Sequence, residues 1–323
     1  MNILEKRGSQ LSDKHHKQPS QTLVGVWYAV AAFTLWGLLP LYWKALKQVP
    51  AEEILAHRIF WSFIFVITIL LVRGRIAQLK NLLSRKSDLL KLFVSSLLIS
   101  GNWFTYIWAV NHDHVVESSL GYYINPLFSV FLGMVVLKER LNSWQYLSLI
   151  LAAVGVIVIT LQYGRIPWIA LILAFSFGLY GLAKKMVKVD AMTGLALETA
   201  FVTPIAFLYL LFKQIGGQGA FGTISLLSTL LLIGAGIVTA TPLLWFAQGA
   251  KRLPLSMVGF IQFLAPTMML LLGVFLYQET FTKIHLISFG LIWTALIIYS
   301  VANTDFIKKI HLKDYNKSNN FSR

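Results

Sequence analysis

From residue 22 to residue 303 the chain alternates long apolar runs with short polar breaks. A helix crossing about 30 Å of hydrocarbon needs roughly 20 predominantly apolar residues, and on that ruler ten segments qualify. The first five lie near 22–44, 52–72, 89–111, 115–137 and 143–162; the second five lie near 166–186, 192–213, 226–249, 255–277 and 282–303. Most connections are short, so neighbouring segments are expected to run antiparallel. The longest, near 73–87, carries Arg73, Arg75, Lys80, Arg85 and Lys86, and no segment is left for an extramembrane domain.

The fourth segment returns in the ninth. Pro126, Gly133 and Glu139 recur at one constant offset as Pro266, Gly273 and Glu279, with an apolar run between proline and glutamate in both copies. Proline and glycine are costly inside a helix in water but tolerated in lipid, where neighbouring helices re-satisfy the backbone. Weaker matches join Trp36-Gly37 to Tyr180-Gly181, Ala109 to Ala247, Ser118 to Ser256 and Arg58 to Glu198. A unit of five spans is odd, so a second copy enters the membrane upside down, and inverted repeats are a transporter architecture. The expected fold is therefore all-α: ten transmembrane helices as two inverted-topology repeats, 22–162 and 163–303, between polar tails at 1–21 and 304–323.

Composition agrees with that picture. Hydrophobic residues make up 57% of the chain, charged ones 13%, and the mean hydropathy is +0.68; a soluble globule would lack the polar surface to cover itself. The formal net charge of +15 would hint at nucleic acid in a soluble domain. Here most of the 28 lysines and arginines fall in alternate connections and in both tails. Basic residues near helix ends stay in the cytoplasm, so both termini are expected inside and the charge reads as a topology signal; nucleic acid is not an expected partner. The chain has no cysteine, which excludes disulfides and thiolate metal sites. Residues 1–21 lack the apolar core of a signal peptide.

Ionisable groups within spans cost about 2.5–3.5 kcal/mol on insertion scales and are functional candidates by default. Arg58 and Glu198 qualify, each roughly 10 Å from its own membrane face at 1.5 Å per residue. One reading has them lining opposite ends of a shared cavity, Arg58 attracting an anionic group and Glu198 a cation or a coupling proton. The other has Arg58 snorkelling or bonded to a neighbouring helix, and Glu198 capping a helix end. His57 would titrate near neutral pH, although a lone histidine near a helix end is more often structural. Glu139 and Glu279 fit helix-end contacts within each repeat.

Near the midplane, Asn102, Asn125, Thr241 and Gln262 must each find a partner or face water. Pro126, Pro242 and Pro266 lie beside three of these, so kinked or discontinuous helices are expected there. Either a substrate site or interhelical hydrogen bonding explains each polar side chain. Trp36, Trp103, Tyr106, Trp108, Tyr122, Tyr180, Trp245 and Phe260 lie deeper than the interfacial belt, to which Trp27, Trp43, Trp144 and Trp168 are assigned. Rings at that depth either pack the core or wall a cavity for flat organic molecules.

Several stretches together resemble a known family: Ala51-Glu52-Glu53-Ile54-Leu55-Ala56-His57-Arg58 with Trp61-Ser62; Gly101-Asn102-Trp103; Ile107-Trp108-Ala109-Val110-Asn111; Leu120-Gly121-Tyr122 with Ile124-Asn125-Pro126; and Ala174-Phe175-Ser176-Phe177 with Tyr180-Gly181. The chain from about 22 to 303 is similar to the ten-helix EamA branch of the drug/metabolite transporter superfamily, and within it to the RarD-like permeases. The resemblance implies a bacterial inner-membrane permease, of a group named for chloramphenicol sensitivity.

No Gly-x-x-x-x-Gly-Lys-Ser/Thr, His-Glu-x-x-His or Gly-x-Ser-x-Gly motif occurs, so ATP hydrolysis and motif-bearing hydrolases are not expected, and no cofactor is. The expectation is a monomeric secondary transporter or facilitator embedded in membrane lipids, moving small organic metabolites or drugs, with export favoured. A non-transporting stabilising subunit and a membrane-embedded lipid-modifying enzyme stay open as alternatives. The expected substrate cavity comprises Arg58, Glu198, Asn102, Trp103, Trp108, Tyr122, Asn125, Tyr180, Trp245, Gln262 and Trp36, with Glu198 and His57 as possible coupling groups.

Overall fold

The computed structural model describes residues 21–83, 85–111, 114–164, 166–276 and 282–320, and among these every regular element is helical. In chain order they are α1 (Gln21–Lys44), α2 (Ala51–Val72), α3 (Ile76–Leu83), α4 (Lys86–Asn111), α5 (Val115–Val135), α6 (Ser143–Tyr163), α7 (Trp168–Met186), α8 (Ala191–Ile215), α9 (Leu226–Arg252), α10 (Leu255–Gln262), α11 (Leu264–Leu271), a π-helical turn (Leu272–Leu276) and α12 (Lys283–Asn320). Among the described residues, eight helices are long and apolar enough to cross a bilayer; Leu255–Leu276 counts as one of them. α4 and α5 also run where spans were expected. Among the described residues of α5 the apolar stretch is Leu120–Val135. The long basic connection folds into α3, whose Leu79 and Leu82 pack against Leu92, Val187 and Leu197.

Local chemistry sets the helix ends. Asn142 and Gln145 form a reciprocal capping box at the start of α6, with bonds of 2.9 and 2.8 Å. Asp190 accepts from the Met192 amide at 3.0 Å to open α8, and Ser225 from the Ser228 amide at 3.0 Å to open α9. Gly164 closes α6 at φ 76°, a left-handed conformation that glycine adopts without strain.

The helices pair in a regular scheme. α1 lies on α9 as α7 lies on α4; α5 packs on α7 as α10 and α11 pack on α1; α2 meets α9 as α8 meets α4. Three further pairs, α2 with α8, α5 with α10 and α6 with α12, complete the bundle. Glycine allows the tightest crossings: a Cβ on Gly236 would stand 2.3 Å from the Trp61 carbonyl carbon, and one on Gly259 2.7 Å from the Pro126 oxygen. The largest buried cluster, including Phe33, Tyr180, Leu243, Phe246 and Phe260, joins α1, α7, α9 and α10. Leu97, Ile157, Ile205, Leu208 and Phe212 are exposed on the outside, where lipid tails would meet them.

Of the three prolines expected to disturb helices, one does so fully. Pro126 and Pro242 sit inside continuous helices. At Pro266 the ring removes the amide that would have bonded to the Gln262 carbonyl, and the helix breaks at Phe263, dividing α10 from α11.

Glu139 corrects an expectation. After α5 the chain turns through Lys138, at φ 55°, and the Glu139 amide donates back to the Gly133 carbonyl at 3.0 Å. This aims the carboxylate at the start of α10, where it accepts from the amides of Leu255 at 2.6 Å and Ser256 at 2.9 Å and from the Ser256 hydroxyl at 2.7 Å. It is a helix-end contact, but it joins the first half of the chain to the second rather than closing within one half. Gly133 makes room for it, since a Cβ there would lie 2.7 Å from the carboxylate. Glu279 lies outside the described residues. The last helix continues past the expected end of its span, to Asn320.

Candidate functional site

A cavity of about 300 Å³ opens between the helices. Its aromatic wall is Phe33, Trp36, Trp43, Trp103, Tyr106, Tyr122 and Phe177; its polar groups are Arg58, Asn102, Asn125 and Gln262; Leu39, Pro40, Ala265, Pro266 and Met269 fill the remainder. α1, α2, α4, α5, α7 and the broken α10–α11 pair all contribute. A second recess of about 510 Å³ lies at the α1–α2 end, lined by residues 46–52 and Ile54, and it shares Trp43, Arg58 and Tyr106 with the cavity. Those three side chains form the neck between the two spaces.

Arg58 is the charged group in the cavity wall. Its Nε donates to the Thr239 hydroxyl of α9 at 3.0 Å. Its guanidinium lies 4.7 Å from the Trp43 ring centroid and 5.1 Å from that of Trp103, both within cation–π range. Among the described residues no carboxylate forms an ion pair with it.

Three amides supply the polar patches. Asn102 uses both amide hydrogens on α7, donating to the Leu173 carbonyl at 2.9 Å and to the Ser176 hydroxyl at 2.8 Å. The Ser129 hydroxyl lies 3.1 Å from Gln262 Oε1 and 3.4 Å from Asn125 Oδ1, tying α5 to the end of α10. Because the helix breaks just after Gln262, its side chain stands at the end of a helix rather than along one.

Away from the neck the cavity is closed by packed rings. Trp36 and Phe177 contact Phe246, whose ring stacks on Tyr180 at 5.9 Å. Beyond lies a buried ion pair: Lys184 Nζ is 2.6 Å from Glu198 Oε2, while the Ser95 hydroxyl donates to Oε1 at 2.8 Å and the Ser96 hydroxyl to the Glu198 backbone carbonyl at 2.7 Å.

The structure brings Arg58, Asn102, Trp103, Tyr122, Asn125, Gln262 and Trp36 together around one space. It does not bring Glu198, Trp108, Tyr180 or Trp245 there. Glu198 is spent on Lys184 of the same half of the chain, beside a void of about 10 Å³. Trp108 follows Trp103 by five residues, well round the helix from it, and stacks on His114 at an exposed position. Tyr180 lies one turn below Phe177, fully buried behind the cavity. On α9, Thr239, Leu243 and Phe246 share the inward face, which leaves Trp245 and Thr241 off the cavity wall. His57 also lies off it: Glu53 is 3.9 Å away, Phe221 stacks at 5.2 Å, and the Trp61 indole donates to Nδ1 at 3.3 Å. Trp43, assigned to the interfacial belt, turns inward to the neck. Thr239 and Phe177 were missed; i, i+4 spacing from Leu243 and the Phe177-x-x-Tyr180 pair were the available signals. No group of three or more His, Asp or Glu side chains gathers to hold a metal among the described residues.

The fold and the site define a multi-span helical membrane protein with an aromatic, partly polar chamber between its helices. Sequence comparison makes that specific. The chain belongs to the EamA-like transporter family, whose profile matches it twice, at residues 23–161 and 165–301. It is 51% identical over 289 residues to the uncharacterized transporter YojE of Bacillus subtilis, covering 88% of this chain and 95% of that one. It is 44% identical over 279 residues to protein RarD of Escherichia coli, covering 86% and 94%, and is thus closely related to the RarD-like permeases of the drug/metabolite transporter superfamily. At 26% identity, over 88% of this chain, it matches the chloramphenicol-sensitive protein RarD of Pseudomonas aeruginosa. A solved crystal structure superposes with a TM-score of 0.65 over 87% of this chain and 98% of the other, at 19% identity, a likeness of fold.

Proposed function

We propose that this protein is a secondary transporter or facilitator for small organic molecules, with the central cavity as its substrate site and export as its direction. Two inverted five-span repeats, 22–162 and 163–303, would rock about that cavity in the bacterial inner membrane, with ten spans, both termini cytoplasmic and one chain as the working unit. The observation that carries this reading is the cavity itself, walled by Trp36, Arg58 and Asn125 from one half and by Phe177, Gln262 and Met269 from the other. A void between halves is what alternating access needs, and a purely stabilising subunit has no use for one. The reciprocal pairing of helices supports a twofold relation between the halves. The contacts of Glu139 with α10 and of Ser95 and Ser96 with Glu198 both bridge the halves at the sealed end, where they would part when that end opens.

Substrate-dependent flux in proteoliposomes tests the proposal. Flux of at least one compound class from a metabolite and drug screen is expected; folded protein that moves none would refute it. The absence of cysteine provides a clean background for topology. Ser9→Cys and Ser318→Cys should react with impermeant thiol reagents only from the cytoplasmic side, and Gln218→Cys only from outside. Opposite labelling of the two termini would overturn the ten-span arrangement.

A further inference from the structure

We infer that the cavity selects a flat, largely apolar molecule with a single negative charge, such as an aromatic carboxylate, and that Arg58 is the residue that reads the charge. The inference rests on the cavity being the transport site.

Among the described residues, several other inward-placed charges are answered from within the protein. Lys184 pairs with Glu198, Glu139 caps α10, Glu53 accepts the Ala220 amide at 2.6 Å, and Lys185 and Lys251 reach backbone carbonyls. Arg58 differs: no described carboxylate meets it, and it faces the open cavity and the neck together. Holding a cation away from bulk water without a counter-ion is unfavourable, and an incoming anion relieves that cost.

The guanidinium is also held ready. Its Nε is engaged by Thr239, and the Trp43 and Trp103 rings lie against it. What it retains for a ligand is the in-plane edge bearing its two terminal nitrogens, the fork that matches the two oxygens of a carboxylate. The described cavity wall offers no acidic side chain to a cation. Its remaining surface is mostly ring faces, which suit a planar apolar body. Asn125 and Gln262 turn their amide oxygens to Ser129, leaving amide hydrogens for neutral acceptors on the cargo. One arginine balances one charge, and the described cavity wall holds no second basic side chain to answer a dianion.

Calorimetric titration of the full-length protein in lipid nanodiscs with three probes of one shape tests this: 2-naphthoate, 2-naphthamide and 2-naphthylmethylammonium. Naphthoate should bind on the order of tenfold or more tighter than the amide, as expected for a charge-assisted pair, and the ammonium weakest. Arg58→Met should abolish the preference, so that naphthoate and the amide bind with equal affinity. If that variant does not insert, the comparison of the three probes on the unaltered protein decides alone. Equal affinity for acid and amide, preference for the ammonium, or no binding by any probe overturns the inference. Proteoliposome flux separates it from the transport reading: acid-selective binding without flux sinks transport and leaves the anion site, whereas flux of acid and amide at equal affinity sinks the anion site and leaves transport.

Discussion

The buried Lys184–Glu198 pair can be taken apart by a double-mutant cycle. Nζ and Oε2 are 2.6 Å apart, with side-chain exposures of 4% and 1%, so solvent screens neither charge. Glu198→Gln keeps the shape and the Ser95 hydrogen bond but strands the ammonium; Lys184→Met strands the carboxylate. Each single change should cost about 3–5 kcal/mol, the penalty of an uncompensated buried charge. The double variant strands nothing and should cost no more than either single change, so the coupling energy is at least about 3–5 kcal/mol. Equilibrium unfolding in mixed micelles measures all four proteins. Additivity within about 0.5 kcal/mol would mean that the two charges do not depend on each other, and the description of the sealed end would be wrong.

Three more outcomes follow from particular contacts. Glu139→Gln should destabilise by about 1.5–3 kcal/mol, the worth of a hydrogen bond to a charged group, because one amide oxygen cannot replace two carboxylate oxygens serving three donors; the same unfolding assay reads it. Gly236→Ala, which drives a methyl into the Trp61 backbone, should cost about 1–3 kcal/mol by overpacking, while Gly290→Ala, with nothing within 4 Å of its added Cβ, should be neutral or slightly stabilising. If transport is coupled to protons through Glu198, Glu198→Gln will abolish the pH-gradient dependence of flux in proteoliposomes; unchanged dependence removes Glu198 from that role.

Much of this protein was readable before its structure. Apolar run length located the helices within a few residues, apart from the far end of α12, because lipid imposes a length on every span. The Gly133 and Glu139 spacing was visible too, but its meaning was not: that the glycine makes room for a glutamate capping a helix far along the chain depends on how the halves dock. The same limit governed the site. Depth along a helix can be counted, so Asn102, Asn125 and Gln262 stood out; the face they share with a neighbour cannot, so Trp108 and Tyr180 were grouped with Trp103 and Trp36. Lys184 hid because lysines near a helix end normally reach water, whereas this one is buried against Glu198 of α8.

The interruption at Phe263 has a mechanical corollary. It cuts one long rod into two stubs of eight residues, each about 12 Å long at 1.5 Å per residue. The first stub is clamped along its whole length, by Glu139 at its start, the Pro126 backbone against Gly259, and Ser129 at its tip. The second carries Ala265, Pro266 and Met269 and has the joint at its root. A swing of this stub about that joint would reshape one side of the chamber while Gln262, on the clamped stub, kept its bond to Ser129.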